Sequence, residues 1–119
     1  MKVAVIGASD KTDRYSYKAV VLLKEKGHVV FPVHPRIRDI EGLKVYKSIA
    51  DIDESIDTVS LYVGKDSSDA IIDDILAKKP GRIIFNPGAE NPGFQARADE
   101  NGIKTVNACT LVMLRTGQF

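Results

Sequence analysis

The feature that most constrains this chain is an uninterrupted apolar run near its start, Val3-Ala4-Val5-Ile6, closed by Gly7-Ala8-Ser9-Asp10. Such a run leaves no polar face. A strand of this kind must be covered on both sides, which places it in the middle of a parallel sheet with helices above and below. Gly7 permits a backbone turn that a Cβ would obstruct, and Ala8 and Ser9 keep bulk out of the space above it. Backbone N–H groups at a strand-to-helix junction attract anions, because the following helix presents unpaired donors and the positive end of its dipole. A nucleotide-like ligand is the first expectation; the alternative is that Gly7 only ends a strand and Ser9 only caps a helix. The dinucleotide pattern G-x-G-x-x-G is incomplete, since Ser9 and Thr12 stand where its second and third glycines would be. Valine at Gly7 is expected to block the ligand more than it unfolds the chain.

Downstream, helical and extended patterns alternate. Ala19, Val20, Leu22 and Leu23 supply an apolar stripe within a helix expected at 16–26, which Gly27 stops. A second buried strand is expected at 28–33. A small strand at 43–46 follows the Glu41-Gly42 turn, and a helical turn or loop follows at 48–53. Residues 58–63 read as a strand, and 67–79 as one amphipathic helix with Ala70, Ile71, Ile75 and Leu76 on its apolar side, capped within 66–68 and stopped by Pro80-Gly81. A strand at 82–85, a helix at 92–100 and a strand at 103–106 complete the pattern, and Leu111-Val112-Met113-Leu114 reads as core with an exposed part suited to a homodimer contact. Strands and helices alternating in this way need right-handed crossovers, so the expected fold is α/β: a Rossmann-like open, mostly parallel sheet of about five strands with helices on both faces. Ligands of such sheets bind beyond the carboxyl ends of the strands, where strand order reverses. The turns at 7–9, 34–38, 62–65, 86–89 and 107–110 then share one rim.

At 119 residues the chain fits a single domain, 1–119. Its 44% hydrophobic and 28% charged residues suit a soluble globular protein, and a formal net charge of +1 disfavours nucleic acid and acidic membranes as partners. No stretch reads as a signal peptide or membrane span, so a cytoplasmic location is expected. One cysteine, Cys109, cannot form an internal disulfide, and two histidines offer no metal-ligand spacing. No metal is expected, and no catalytic constellation is found. Cys109 reads either as a small buried hydrophobe or as a functional thiol.

A typical NAD domain ends its second strand with a carboxylate for the ribose hydroxyls, but here the sequence reads Val33-His34-Pro35-Arg36, with Arg38 close behind. Cations there suit a phosphate better than a bare diol. NADP stays open on this ground, as do solvated surface roles for both arginines. The order of the turns adds a further reading. Val3-Ala4-Val5-Ile6-Gly7-Ala8-Ser9, Arg14-Tyr15-Ser16, Phe31-Pro32-Val33-His34-Pro35, Gly42-Leu43-Lys44-Val45-Tyr46 and Ser48-Ile49-Ala50-Asp51-Ile52 occur together across nearly the whole chain. In this the chain resembles the small standalone coenzyme A-binding proteins with a Rossmann-like domain, and is similar to the N-terminal CoA-binding part of succinyl-CoA synthetase α subunits and related ADP-forming acyl-CoA synthetases.

The resemblance implies coenzyme A or an acyl-CoA as ligand. It places Gly7, Ala8 and Ser9 around the pyrophosphate with Arg14 and Ser16 nearby, and His34, Pro35, Arg36 and Arg38 beside the 3′-phosphoadenosine end. Tyr62, Val63 and Lys65 would border the adenine, Gly88 would lie in a rim turn, Asn107 and Cys109 keep the family's pattern after the last strand, and Cys109 would meet the CoA thiol. Relatives often carry glutamine or glutamate where Pro87 stands, and an arginine directly before the cysteine, where Ala108 stands. The expected protein is a non-catalytic cytosolic CoA-binding module with a small-molecule ligand and, beyond that, a second copy or an unidentified protein partner. The alternatives are an NADP-binding oxidoreductase-like domain, or a subunit of an acyl-CoA synthetase that needs a separate ATP-grasp partner.

Overall fold

The computed structural model describes residues 1–119 and turns the apolar start into β1 (Lys2–Ile6), paired on both sides. Next come α1 (Tyr15–Glu25), β2 (Val29–Val33), a hairpin of β3 (Asp39–Ile40) and β4 (Leu43–Lys44), and a 3-10 turn at Ile49–Asp51. The second half contains β5 (Thr58–Leu61), α2 (Lys65–Asp69), α3 (Ile72–Lys78), β6 (Arg82–Phe85), α4 (Pro92–Glu100), β7 (Lys104–Asn107) and α5 (Thr110–Arg115). The sheet runs β2-β1-β5-β6-β7 with every pairing parallel. The fold is Rossmann-like α/β. The chain leaves β1 toward β2 on one side and returns to β5 on the other, so strand order reverses between β1 and β5.

Alternation along β1 explains why its sequence has no polar face. Val3 and Val5 pack with Val20, Leu23 and Leu114 from α1 and α5, while Ala4 and Ile6 pack with Ile75, Phe94 and Ala98 from α3 and α4. On the second side Phe85 meets Phe94 edge-on, ring centroids 5.3 Å apart, and each buried phenyl contributes about 1.5–3 kcal/mol.

The helix ends follow local chemistry. α1 buries Ser16, Ala19, Val20 and Leu23, one stripe at helical spacing. It stops because Gly27 adopts φ +86°, which lets the Gly27 and His28 amides donate back to Lys24 O and Leu23 O. α4 begins at Asn91, whose side chain accepts the Phe94 amide, with Pro92 in the first turn.

Four local expectations are corrected. The helix expected at 67–79 is two helices; of its expected apolar side Ile75 is buried and Ile71 and Leu76 pack against the core, but Ala70 is exposed and Ile72 is buried in addition. Its break has a tertiary cause: the Ser68 hydroxyl donates to Lys65 O at 3.1 Å and accepts from Asn91 Nδ2 at 2.9 Å, anchoring α2 to the α4 cap. Neither does a side chain cap α2; its N-cap is Gly64. The strand expected at 58–63 ends at Leu61, because Tyr62 and Val63 turn into the rim. Leu43 and Lys44 form a hairpin with Asp39 and Ile40, and Tyr46 instead bridges Val33 in parallel. The run 111–114, by contrast, is core with an exposed part as expected: it lies in a helix, α5, which buries Leu111 and Leu114 and leaves Val112 53% exposed. No helix is long and apolar enough to cross a membrane.

Candidate functional site

A cleft of about 930 Å³ opens beyond the carboxyl ends of β1, β2 and β5, where strand order reverses. The β1–α1 segment contributes Gly7, Ala8, Ser9, Asp10, Lys11, Arg14, Tyr15 and Ser16. The end of β2 contributes Val33, His34, Pro35 and Ile37; Lys47, Ser48 and Ile49 follow the hairpin, and Tyr62, Val63, Ser67 and Ile71 complete the wall. Of the residues singled out in the sequence, the cleft thus brings together Gly7, Ala8, Ser9, Arg14, Ser16, His34, Pro35, Tyr62 and Val63.

Gly7 is required here twice over. Its φ of +85° is in the left-handed region, and a Cβ would lie 2.9 Å from Val63 Cγ1 and 3.3 Å from the Tyr62 backbone. The close approach of β1 to the β5 turn therefore depends on glycine, so valine there strains the fold itself, which weighs against the expectation that it would block the ligand more than it unfolds the chain. The amides of Gly7 and Ala8 both donate to Val33 O, at 3.1 and 3.2 Å. They serve to tie the loop to β2 and are not free donors. The amides of Ser9 and Asp10 make no intramolecular hydrogen bond, while Ser9 Oγ accepts from the Lys11 amide at 3.1 Å. Arg14, the N-cap residue of α1, makes no side-chain cap hydrogen bond, which leaves first-turn amides without intrahelical acceptors beside the cleft.

At the end of β2, His34 Nδ1 accepts from the amides of Arg36 at 3.0 Å and Ile37 at 3.2 Å. The ring thereby curls the segment into a turn that packs Ile37 toward the α1-side core and leaves Arg36 and Arg38 exposed. Neither arginine belongs to the cleft wall. Lys65, Gly88, Asn107 and Cys109 are also outside it. Lys65 pairs with Asp69 at 3.0 Å, and the Gly88 amide donates to Glu90. Asn107 ends β7, and half-buried Cys109 is the N-cap residue of α5. No cluster of three or more His, Cys, Asp and Glu side chains could hold a metal ion.

Lys11 and Lys47 escaped the sequence reading, although Lys11 stands in the polar loop after Gly7. With Arg14 they give the wall three cations against one carboxylate, Asp10. Tyr62 marks the inner end. Its hydroxyl is buried without a hydrogen-bond partner, and burial pushes the phenol up to about 12. Ser60 and Thr110 pull the other way, yet their hydroxyls bond each other at 2.7 Å and neither bonds Tyr62.

Fold and cleft together define an open parallel α/β domain whose switch-point cleft carries three cations and one carboxylate on its wall. The chain belongs to the CoA binding domain family, whose model matches residues 1–115. It is 34% identical over 61 residues to the uncharacterized protein YneT of Bacillus subtilis, covering 51% of this chain and 45% of that one. It is 29% identical over 105 residues to an ADP-forming acetate–CoA ligase of Methanocaldococcus jannaschii, covering 87% of this chain and 15% of the ligase. The chain thus spans less than half the length of these curated relatives. A crystal structure of an uncharacterized protein superimposes with a TM-score of 0.94 at 39% identity, over 99% of this chain and 97% of the other.

Proposed function

We propose that this chain is a non-catalytic cytosolic module that binds coenzyme A or an acyl-CoA in the switch-point cleft. The observation that carries the proposal is the charge of the wall: three cations against one carboxylate, in a chain of net charge +1. Positive charge is gathered where a polyanionic ligand would lie. The free Ser9 and Asp10 amides and the uncapped start of α1 supply donors for the diphosphate, with Arg14 and Ser16 beside them. Gly7 and Ala8 shape this loop. Tyr62 and Val63 offer apolar surface for the adenine, together with Ile6, Val33, Ile49 and Ile71. The thiol arm runs along the rim toward Asn107 and Cys109, at the end of β7 and three strands from β1, a span of about 14 Å at the usual strand spacing. His34 Nδ1 already accepts two amides, so that nitrogen is not free to act as a base, and no activated nucleophile stands beside it.

A ligand that binds only the native state adds RT ln(1 + [L]/Kd), about 2.7 kcal/mol at a hundredfold excess over Kd. A thermal-shift titration should therefore rank CoA well above NADP and NAD. A nicotinamide nucleotide ranking first would overturn the proposal in favour of an oxidoreductase-like domain. A second reading is favoured by the match to the ligase over most of this chain and a small share of that enzyme: a subunit that presents CoA to a separate ATP-grasp partner. It predicts that the chain alone binds CoA without turnover, and that acyl-CoA formation appears only when such a partner is added.

A further inference from the structure

We propose that Lys47 reads a second anionic group on the ligand, the phosphate on the ribose of a nucleotide whose diphosphate lies at the start of α1. The inference rests on the reading of the cleft as a CoA site and assigns the source of its preference for the 3′-phosphate. Lys47 is far in sequence from the glycine turn but is placed by the backbone. The Tyr46 amide donates to Pro32 O and the His34 amide donates to Tyr46 O, both at 2.9 Å, which pins residue 46 against β2. The next residue enters the wall beside His34, where a dinucleotide-binding domain would place its ribose-binding carboxylate. A cation at that position reverses the preference from diol to phosphate. Ser48 steadies the segment, its Oγ accepting the Ala50 amide at 3.1 Å.

The charge is also uncommitted. The ion pairs of the chain are Lys2–Glu54, Lys65–Asp69 and Arg97–Asp73, and none engages Lys47. Arg36 competes for the role in sequence but not in space, because the His34-centred turn leaves it outside the wall. Lys11 and Arg14 lie on another segment, so the wall draws its cations from two separate stretches of the chain, with apolar Val33 and Ile49 also among its residues. That arrangement suits an adenosine carrying a diphosphate on one side and a further phosphate on the other, and discriminates against ADP, NAD and dephospho-CoA.

Calorimetry of the full chain with CoA and dephospho-CoA tests this on wild type, Lys47→Ala, Lys47→Arg and Arg36→Ala. A charge-assisted phosphate contact gives about a tenfold preference for CoA in the wild type. Lys47→Ala should abolish that preference without changing dephospho-CoA affinity, Lys47→Arg should restore most of it, and Arg36→Ala should leave it intact. Lys47 is exposed, so its variants should fold, which circular dichroism checks. If wild type prefers CoA and Lys47→Ala keeps the preference or weakens both ligands alike, the assignment to Lys47 is wrong while the CoA reading stands. If wild type binds neither ligand, the CoA reading falls and this inference with it.

Discussion

Tyr62 carries a hydroxyl that the fold buries and leaves without a partner. Removing it should cost nothing and relieve a desolvated polar group, so Tyr62→Phe is expected to raise stability by about 1 kcal/mol. Urea unfolding measures this, and a loss of stability would mean that the hydroxyl has a partner. The same burial makes the neutral phenol the favoured native form. Because the folded pKa is raised above the ordinary value of roughly 10, this contribution is fully present below that pH. It is lost as pH rises through the folded value of about 12. Ultraviolet titration should show a late-ionising tyrosine that Tyr62→Phe removes, in addition to Tyr17, whose phenol is also raised by its hydrogen bond to Glu41. Gly7 is the opposite case, a residue with no side chain whose absence is structural. Any substitution there disturbs the contact with Val63 and Tyr62, so loss of binding in Gly7→Val would not by itself locate a diphosphate.

α1 shows how an element can hold an unspent local device. Its N-cap residue Arg14 has φ −80° and ψ 141°, the extended geometry that a capping serine adopts, yet Arg14 makes no cap hydrogen bond. Arg14→Ser should therefore stabilise the protein by about 0.5–2 kcal/mol while weakening CoA, since it fills an anion-attracting helix start and removes a cation. Melting temperature and calorimetric affinity should move in opposite directions. If both rise, neither the free helix start nor the Arg14 charge contributes to binding. α2 and α3 make a complementary point. The amphipathic spacing over 67–79 is genuine, but Asn91, more than 20 residues away, takes hold of Ser68 and Asp69 and the helix breaks. Hydrogen bonding by Asn91 and then pairing with Lys65 hold the Asp69 carboxyl below its ordinary range.

At the scale of the whole molecule, a buried polar network ties the rim together. Asn86, directly after β6, donates through Nδ2 to Ser60 Oγ and Leu61 O, both at 3.0 Å, and accepts the Thr110 amide at 2.8 Å. Three segments from different parts of the sequence, β5, the end of β6 and the start of α5, are thereby held together. Asn86→Ala should leave the buried Thr110 amide without its acceptor and remove a donor from Ser60 and Leu61, at a cost of about 3 kcal/mol. The cleft wall does not include Asn86, so CoA affinity of the folded variant, measured by calorimetry well below its melting temperature, should be unchanged. A parallel loss of affinity would show that the network also shapes the cleft.

Much of this architecture was determined by the sequence alone. Apolar runs such as Val3 to Ile6 and Ile83 to Phe85, the stripe ending at Gly27 and the Pro92 start of α4 act within one element, through burial and backbone preference, so their meaning travels with the residues. The same locality made the strand-to-helix turn at Gly7 legible. Which donors and charges face the cleft was decided only by tertiary structure. The carbonyl that takes up the Gly7 and Ala8 amides belongs to Val33, and Lys47 reaches the wall because Tyr46 pairs with β2. Hydrogen-bond partners distant in the chain and the direction of an exposed cation depend on how strands are ordered in space, and that ordering leaves no periodic signal in the residues themselves.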